Sequence, residues 1–161
     1  MLKVRVYTFE EVLEEKGFVI YTNVGYSMLP LLRQKRDIIE ICRKGPGRCK
    51  KYDVVLYKRG ETYILHRILK VLPEGYIIAG DHNTFLETDV TDSMILGVMS
   101  RVIRDGRTIA MNNIWYKTYV HLWCDAYPIR MLLLRLKSRI RAVLSRIKHK
   151  IMQESLDKTD V

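Results

Sequence analysis

Short apolar runs, rich in β-branched and aromatic residues, alternate with turn-forming residues over the first two thirds of this chain. Runs of this length and composition are typical of strands, and turns about every ten residues indicate antiparallel neighbours. Asp105-Gly106, between the last two runs, is a dipeptide that favours a hairpin turn. The pattern therefore predicts a mainly β, antiparallel domain with strands at residues 18–25, 37–42, 54–58, 63–71, 75–79, 95–104 and 108–111.

Helical signals lie on both sides of this β region. Thr8 and Glu11 have the spacing of a capping box, and Gly17 is a typical stop, so a short helix is expected between them. Towards the C-terminus, apolar residues recur at steps of three and four, and residues 130–150 contain eight Lys or Arg and no acid. This pattern predicts an amphipathic basic helix. We expect a β domain over residues 1–112 and an aromatic-rich, then helical and basic, segment over residues 113–161.

Ser27 follows the first predicted strand directly. Gly25 ends the strand and Pro30 comes three residues after the serine, so the backbone is expected to turn sharply at the hydroxyl. A serine becomes an effective nucleophile when a base takes its proton, and the resulting oxyanion needs amide donors. Ser27 is therefore a candidate nucleophile. The alternative is an ordinary turn serine, which is the more common case.

His66 lies inside the apolar run at residues 63–71. Strand alternation puts its side chain on the same face as Ile64 and Ile68, and puts Arg67 on the opposite face. A histidine in this setting is either a core residue with its own partners or a group that faces a site. Because the unperturbed pKa of histidine is about 6.5, neutral His66 is suited to accept a serine proton near neutral pH.

Three acidic residues follow the fifth predicted strand. Asp81 lies in the turn G-D-H-N at residues 80–83, and Glu87 and Asp89 come soon after it. An acid that accepts the second ring N–H of a catalytic histidine fixes its tautomer and stabilises the imidazolium. Asp81 is the first choice for this role, with Glu87 and Asp89 as alternatives. A turn aspartate that bonds its own backbone is the competing interpretation.

Five short motifs now form an ordered set. They are G-Y-S-M-L-P, Y-D-V-V-L-Y, H-R-I, G-D-H-N and I-L-G-V, at residues 25–30, 52–57, 66–68, 80–83 and 95–98. In this order they resemble the signal peptidase I and LexA-type serine peptidase superfamily, over roughly residues 15–107. Bacterial signal peptidases and LexA-type repressors carry a lysine base. The H-R-I motif instead resembles the archaeal and endoplasmic-reticulum signal peptidases, which pair serine with histidine and an acid.

The resemblance implies a small β domain of the signal-peptidase and LexA catalytic type. It implies that Ser27 is the nucleophile, that His66 is the general base and that the Ser27 backbone N–H binds the oxyanion. It also implies that Arg67 supports the structure near the site. The expected activity is that of a serine endopeptidase that hydrolyses a peptide bond in an extended leader or precursor peptide.

Two other classes of function fit the sequence. One is a catalytically inactive relative that binds peptides, and the other is a basic adaptor associated with membranes or nucleic acid. Nucleic acid is the less favoured partner, because no helix-turn-helix or zinc motif accompanies the basic segment. No metal or other cofactor is expected, since the three cysteines and four histidines lack metal-ligand spacing.

The expected location is cytoplasmic. Two interpretations of residues 129–151 stay open: the helix packs its apolar stripe on the β domain with its charges in solvent, or it makes peripheral contact with a membrane surface. Glu10 and Glu11 interrupt the N-terminal region before an apolar segment of signal-peptide length, and no apolar stretch reaches the roughly 20 residues of a membrane span. A segment that is both apolar and basic can instead lie at a membrane surface.

Overall fold

A computed structural model describes residues 7–157, apart from the side chains at positions 128, 130 and 148–157. Residues 1–6 and 158–161, which are the ends of the two predicted domains, lie outside the described residues, as does the side chain of Ile151 in the predicted amphipathic helix. Contacts divide the chain into two compact units, with the division between Asp125 and Ala126. The sequence placed the division at residue 112; the second helix belongs with the first unit.

The first unit is a mainly antiparallel β structure, which confirms the predicted class. Every strand pair is antiparallel, and the order across the sheet is β1-β2-β7-β3-β4-β5-β6, with β8 paired to β7. The elements are α1 (Phe9–Lys16), β1 (Phe18–Thr22), β2 (Ile38–Arg43), β3 (Val54–Arg59), β4 (Thr62–Leu72), β5 (Gly75–Ala79), β6 (Glu87–Val90), a 3-10 turn (Asp92–Met94), β7 (Ile95–Arg104), β8 (Arg107–Ala110), α2 (Ile114–Asp125) and α3 (Tyr127–Asp157).

The sequence signals located most of these elements. The capping box is present, with mutual hydrogen bonds between Thr8 and Glu11, and α1 ends where Gly17 adopts a left-handed conformation. Each predicted strand has a counterpart, although β1 ends at Thr22 rather than at Gly25. The sequence missed β6, a strand of four residues, and this strand carries Glu87.

Both faces of the sheet are covered around β3, which explains why this strand reads as a continuous apolar run rather than an alternating one. Val54 and Leu56 belong to one buried cluster, together with residues from α1 and β2. Val55 and Tyr57 belong to a second cluster on the opposite face. The cores thus fix β3 and its partner β4 at the centre of the first unit.

Helix α2 packs on the first unit through one face. Tyr116, Val120 and Cys124 are buried there and form a third cluster with Tyr52 and Leu69. The aromatic-rich segment that follows the sheet is therefore part of the β unit's structure.

Helix α3 makes up most of the second unit. It has 31 residues, so it is about 46 Å long at 1.5 Å per residue. Within residues 7–157, no helix combines the length and the apolar composition that crossing a membrane requires.

Candidate active site

His66 is a buried residue of β4 and is paired with a carboxylate. Its Nδ1 lies 2.7 Å from Oε1 of Glu87, in β6. Strands β4 and β6 are the two neighbours of β5, so the sheet order brings together side chains that are 21 positions apart in sequence. Only 5% of His66 and 7% of Glu87 is exposed, so the pair is shielded from water.

The Glu87 carboxylate is held by two further donors from β3. The hydroxyl of Tyr57 and the guanidinium of Arg59 both donate to Oε2, which leaves Oε1 to His66. Burial and the hydrogen bond to Glu87 raise the pKa of Tyr57 far above its ordinary value, so its hydroxyl stays protonated and can donate. Hydrogen bonds in which the acceptor is a carboxylate are stronger than those between neutral groups.

The protonation of His66 suits a general base. Burial lowers the pKa of His66, and the nearby Glu87 carboxylate opposes this effect only in part. The ring is therefore neutral near neutral pH, and Nδ1 carries the proton that is donated to Glu87. The lone pair is then on Nε2, where the side-chain nitrogen of Asn83 lies 3.4 Å away as a donor. This is the tautomer that can accept a proton at Nε2.

The turn at residues 80–83 contacts both Ser27 and His66. The carbonyl oxygen of Ser27 accepts a 2.7 Å hydrogen bond from the His82 N–H, while Asn83 reaches His66. Gly80 allows this approach, because a Cβ at that position would lie 2.6 Å from the Ser27 carbonyl oxygen. The side-chain hydrogen bonds of His66 run to Tyr57, Glu87 and Asn83. Within the described residues none of them joins His66 to Ser27, and the turn is the element that contacts both.

Ser27 itself is half-buried, and its two backbone groups differ. Its carbonyl is bound by the turn, whereas its N–H donates no hydrogen bond within the described part of the chain. A backbone N–H that is not otherwise used can bind an oxyanion.

Asp81, the first choice for the acid, was predicted to contact His66, but its carboxylate binds Arg67 instead. Asp81 is buried, but Oδ1 and Oδ2 accept hydrogen bonds of 2.8 and 2.7 Å from Arg67. Because neighbouring strand residues point to opposite faces, a carboxylate bound to Arg67 is held away from the ring of His66. The carboxylate on the ring is Glu87, one of the two alternatives. The other, Asp89, is largely exposed and lies 3.5 Å from Arg59.

Arg67 links three parts of the first unit. Besides Asp81, this fully buried guanidinium donates to the Tyr52 carbonyl at 3.0 Å and to the Tyr116 hydroxyl at 2.7 Å. Burial alone would lower the pKa of Arg67, but the Asp81 carboxylate outweighs it, so the pKa lies above its ordinary value. From α2, the indole of Trp123 also donates to the Asp81 carbonyl at 3.0 Å. The ion pair thus ties β4, the turn and α2 together.

A third buried carboxylate anchors the segment that carries Ser27. Asp37 is fully buried and accepts hydrogen bonds from Arg33, at 2.9 Å, and from Arg104 of β7, at 3.2 Å. Arg104 also donates to the Leu31 carbonyl. These contacts attach the C-terminal end of the long connection between β1 and β2 to the sheet.

An apolar cleft opens beside Ser27. Its volume is about 200 Å³, and its lining comes from α1, β1, β2, β3, β4 and the segment after β1. Ile39, Leu56 and Leu65 form part of its floor and walls, and Val24 lines it next to the serine's turn. The space is large enough for one apolar side chain of a bound molecule.

Sequence patterns did not identify Tyr57 and Arg59 as residues of the site. The need for a partner at Tyr57 was predictable, because a tyrosine inside the buried run of β3 needs one for its hydroxyl. The partner could not be named without β6. Alternation along β3 also places Arg59 on the same face as Tyr57.

We predict that Arg67→Leu lowers the free energy of unfolding by about 3–5 kcal/mol, because it leaves the Asp81 carboxylate buried without its cation. The matched control is Arg101→Leu, which removes an ion pair with Glu40 whose arginine is 45% exposed. That loss should stay below about 1 kcal/mol. Urea unfolding of both variants measures the difference, and equal losses would contradict a structural role for the buried pair.

We predict that NMR titration finds the pKa of His66 below the usual value of about 6.5, and lower still in Glu87→Gln. Burial lowers this pKa and the Glu87 carboxylate is the largest influence that raises it, so removing the carboxylate lets burial lower the pKa further. The unfolded chain then binds the proton at higher pH than the native chain, and the stability contributed by neutral His66 is lost as pH falls below about 6.5. A higher pKa for His66 in Glu87→Gln would refute the pairing.

Comparisons with known proteins add no relative from which a function could be taken. The sequence matches no protein-family model, and no curated protein matches it significantly. The case for a function therefore depends on the residues themselves. What they form is a buried histidine–carboxylate pair joined through one turn to a half-buried serine beside an apolar cleft.

Proposed function

We propose that this protein is a serine endopeptidase in which Ser27 is the nucleophile, His66 the general base and Glu87 the acid that orients it. The observation that carries the proposal is the 2.7 Å contact between His66 Nδ1 and Glu87. With Nδ1 bound to Glu87, Nε2 is the available proton acceptor. Nε2 lies next to Asn83, in the turn that also binds Ser27. The order of the five sequence motifs supports the assignment of Ser27 and His66.

The proposed reaction follows from these positions. Nε2 of His66 takes the hydroxyl proton of Ser27 while Oγ attacks the carbonyl carbon of the peptide bond. The serine O–H replaces the Asn83 amide as the partner of Nε2. Glu87 stabilises the imidazolium, and the Ser27 N–H donates to the oxyanion. His66 then passes the proton to the leaving amine, and a water molecule, activated in the same way, hydrolyses the acyl-enzyme.

An extended peptide is the substrate form that the sheet favours. Residues 62–67 of β4 pair with β3 on one side, while β5 pairs only from residue 67 onwards. In the described chain, the first half of β4 therefore has one edge without a strand partner. Its residues 63–65 line the cleft beside Ser27. A substrate strand could add to this edge and place one side chain in the cleft, as in β-augmentation.

We predict that Ser27→Ala and His66→Ala each lower kcat/KM for a cleaved peptide by at least about 10³-fold, with the fold retained. Glu87→Gln should cost about 10²–10⁴-fold, because the amide cannot stabilise the imidazolium as a carboxylate does. Asp89→Asn is the matched control and should stay within about twofold. A fluorogenic peptide library, with circular dichroism of each variant, supplies the measurements.

The outcomes separate the candidate functions. Cleavage that persists in Ser27→Ala and His66→Ala would reject the catalytic assignment. If no peptide is cleaved but peptides bind the wild-type chain at the β4 edge, the protein is the inactive peptide-binding relative. A larger loss in Asp89→Asn than in Glu87→Gln would move the acid to Asp89.

We predict that Val24→Lys weakens the cleavage of peptides that place an apolar side chain in the cleft, by roughly tenfold. Val24 lines the cleft and is 52% exposed, so the lysine is tolerated by the fold but puts a charge beside apolar surface, where an unpaired charge is costly. The control is Val71→Lys, also on an exposed site, outside the cleft lining. Equal effects of the two substitutions on KM would show that the cleft does not bind the side chain.

A further inference from the structure

Helix α3 carries an exposed apolar surface. Eight large aliphatic side chains between residues 129 and 147 are between 48% and 67% exposed. At 100° per residue these side chains fall within an arc of about 120° on the helix. We call this surface the apolar arc; it consists of Ile129, Leu132, Leu133, Leu136, Ile140, Val143, Leu144 and Ile147.

Basic residues border the apolar arc on both sides. By the same helical spacing, Lys137 and Arg141 lie along one border. The other border carries Arg135, Arg139 and Arg146, and all five side chains are exposed. The side opposite the arc carries neutral or small residues, including the exposed Ser138 and Ser145. The charges are therefore placed next to the apolar surface and not away from it.

This placement fits the boundary of a lipid bilayer. A helix lying in the headgroup plane buries its apolar arc among acyl chains, while lysine and arginine at the borders extend their apolar stems and reach the phosphates. From this geometry we infer that α3 binds flat on a membrane surface with anionic headgroups. The inference does not depend on the proposed peptidase activity, because it uses only residues of the second unit.

A second copy of the chain is a poorer occupant. The arc residues 129, 133, 136, 140, 143 and 147 have the alternating four- and three-residue spacing of a coiled-coil seam. In a coiled coil, however, the flanking positions of paired helices face each other. Those positions carry only cations or leucine here, with no acid to form a salt bridge. Like charges would therefore oppose self-association.

Nucleic acid is also a poorer occupant. Phosphates would be bound by the border cations, but the aliphatic arc between them would then remain against water or a charged backbone. The arc would contribute nothing to such a complex. A bilayer uses both parts of the surface at once.

The test is flotation of the full-length chain with vesicles of phosphatidylcholine alone or of an equimolar mixture with phosphatidylserine. The arc variant is Leu136→Gln/Ile140→Gln, and its matched control is Ser138→Gln/Ser145→Gln on the opposite side. Both keep the net charge and introduce the same residue. We expect wild type and control to bind the mixed vesicles equally, and the arc variant to bind at least tenfold more weakly.

A second pair of measurements tests the charge. Arg139→Gln should weaken binding to the mixed vesicles by about fivefold, the value for one cation near an anionic surface. Added salt should weaken the wild-type chain, and phosphatidylcholine alone should bind it poorly. Light scattering measures the oligomeric state, and circular dichroism checks that each variant keeps its helix.

Three results would overturn the inference. The first is an arc variant that floats as well as wild type. The second is equal binding to neutral and mixed vesicles. The third is a wild-type dimer that the arc variant converts to a monomer, without vesicle binding by either, which would assign the arc to a second copy. Loss of peptide cleavage in Ser27→Ala changes none of these outcomes, so the two proposals fail separately.

Discussion

The buried ion pair between Arg67 and Asp81 is the constraint on which the site depends. An ion pair in the interior is retained at low cost only when its remaining donors and acceptors are also satisfied. Here Arg67 reaches Tyr52 and Tyr116 as well as Asp81, so the turn at residues 80–83 has one position relative to β4. The same turn binds the Ser27 carbonyl and contacts His66. The ion pair on one face of β4 thus positions the turn that contacts His66 on the other face.

The buried carboxylates Asp81 and Glu87 differ in what their partners can do. Asp81 faces Arg67, a cation that keeps its charge at every physiological pH. Glu87 faces His66, whose ring can gain and lose a proton, and Glu87 also accepts a hydrogen bond from Tyr57. An acid can assist proton transfer only where its partner gains and loses a proton. The partner, and not position in the sequence, therefore distinguishes Asp81, which supports the structure, from Glu87, the candidate catalytic acid.

Local patterns in the sequence predicted the strands, the capping box and the opposite faces of His66 and Arg67. They could not rank the acids, because the ranking depends on β6. Its sequence, E-T-D-V, holds one large apolar residue and gives no alternation. Asp81 seemed best placed because it follows a strand directly, whereas Glu87 reaches His66 through the order β4-β5-β6, which only long-range pairing determines. Tyr57 was missed for the same reason, since its hydroxyl has its partner in β6.

The two units differ in which side chains they bury. In the β unit, polar groups such as Arg67 and Glu87 are buried, and each meets partners from other elements of the same unit. In α3, aliphatic groups are exposed along one arc, and burial within the described chain does not stabilise them. A helix in water gains most of its stability from packing an apolar face. A surface that covers the arc would therefore stabilise the helix while binding it, so for this segment membrane binding and helix stability are expected to be coupled.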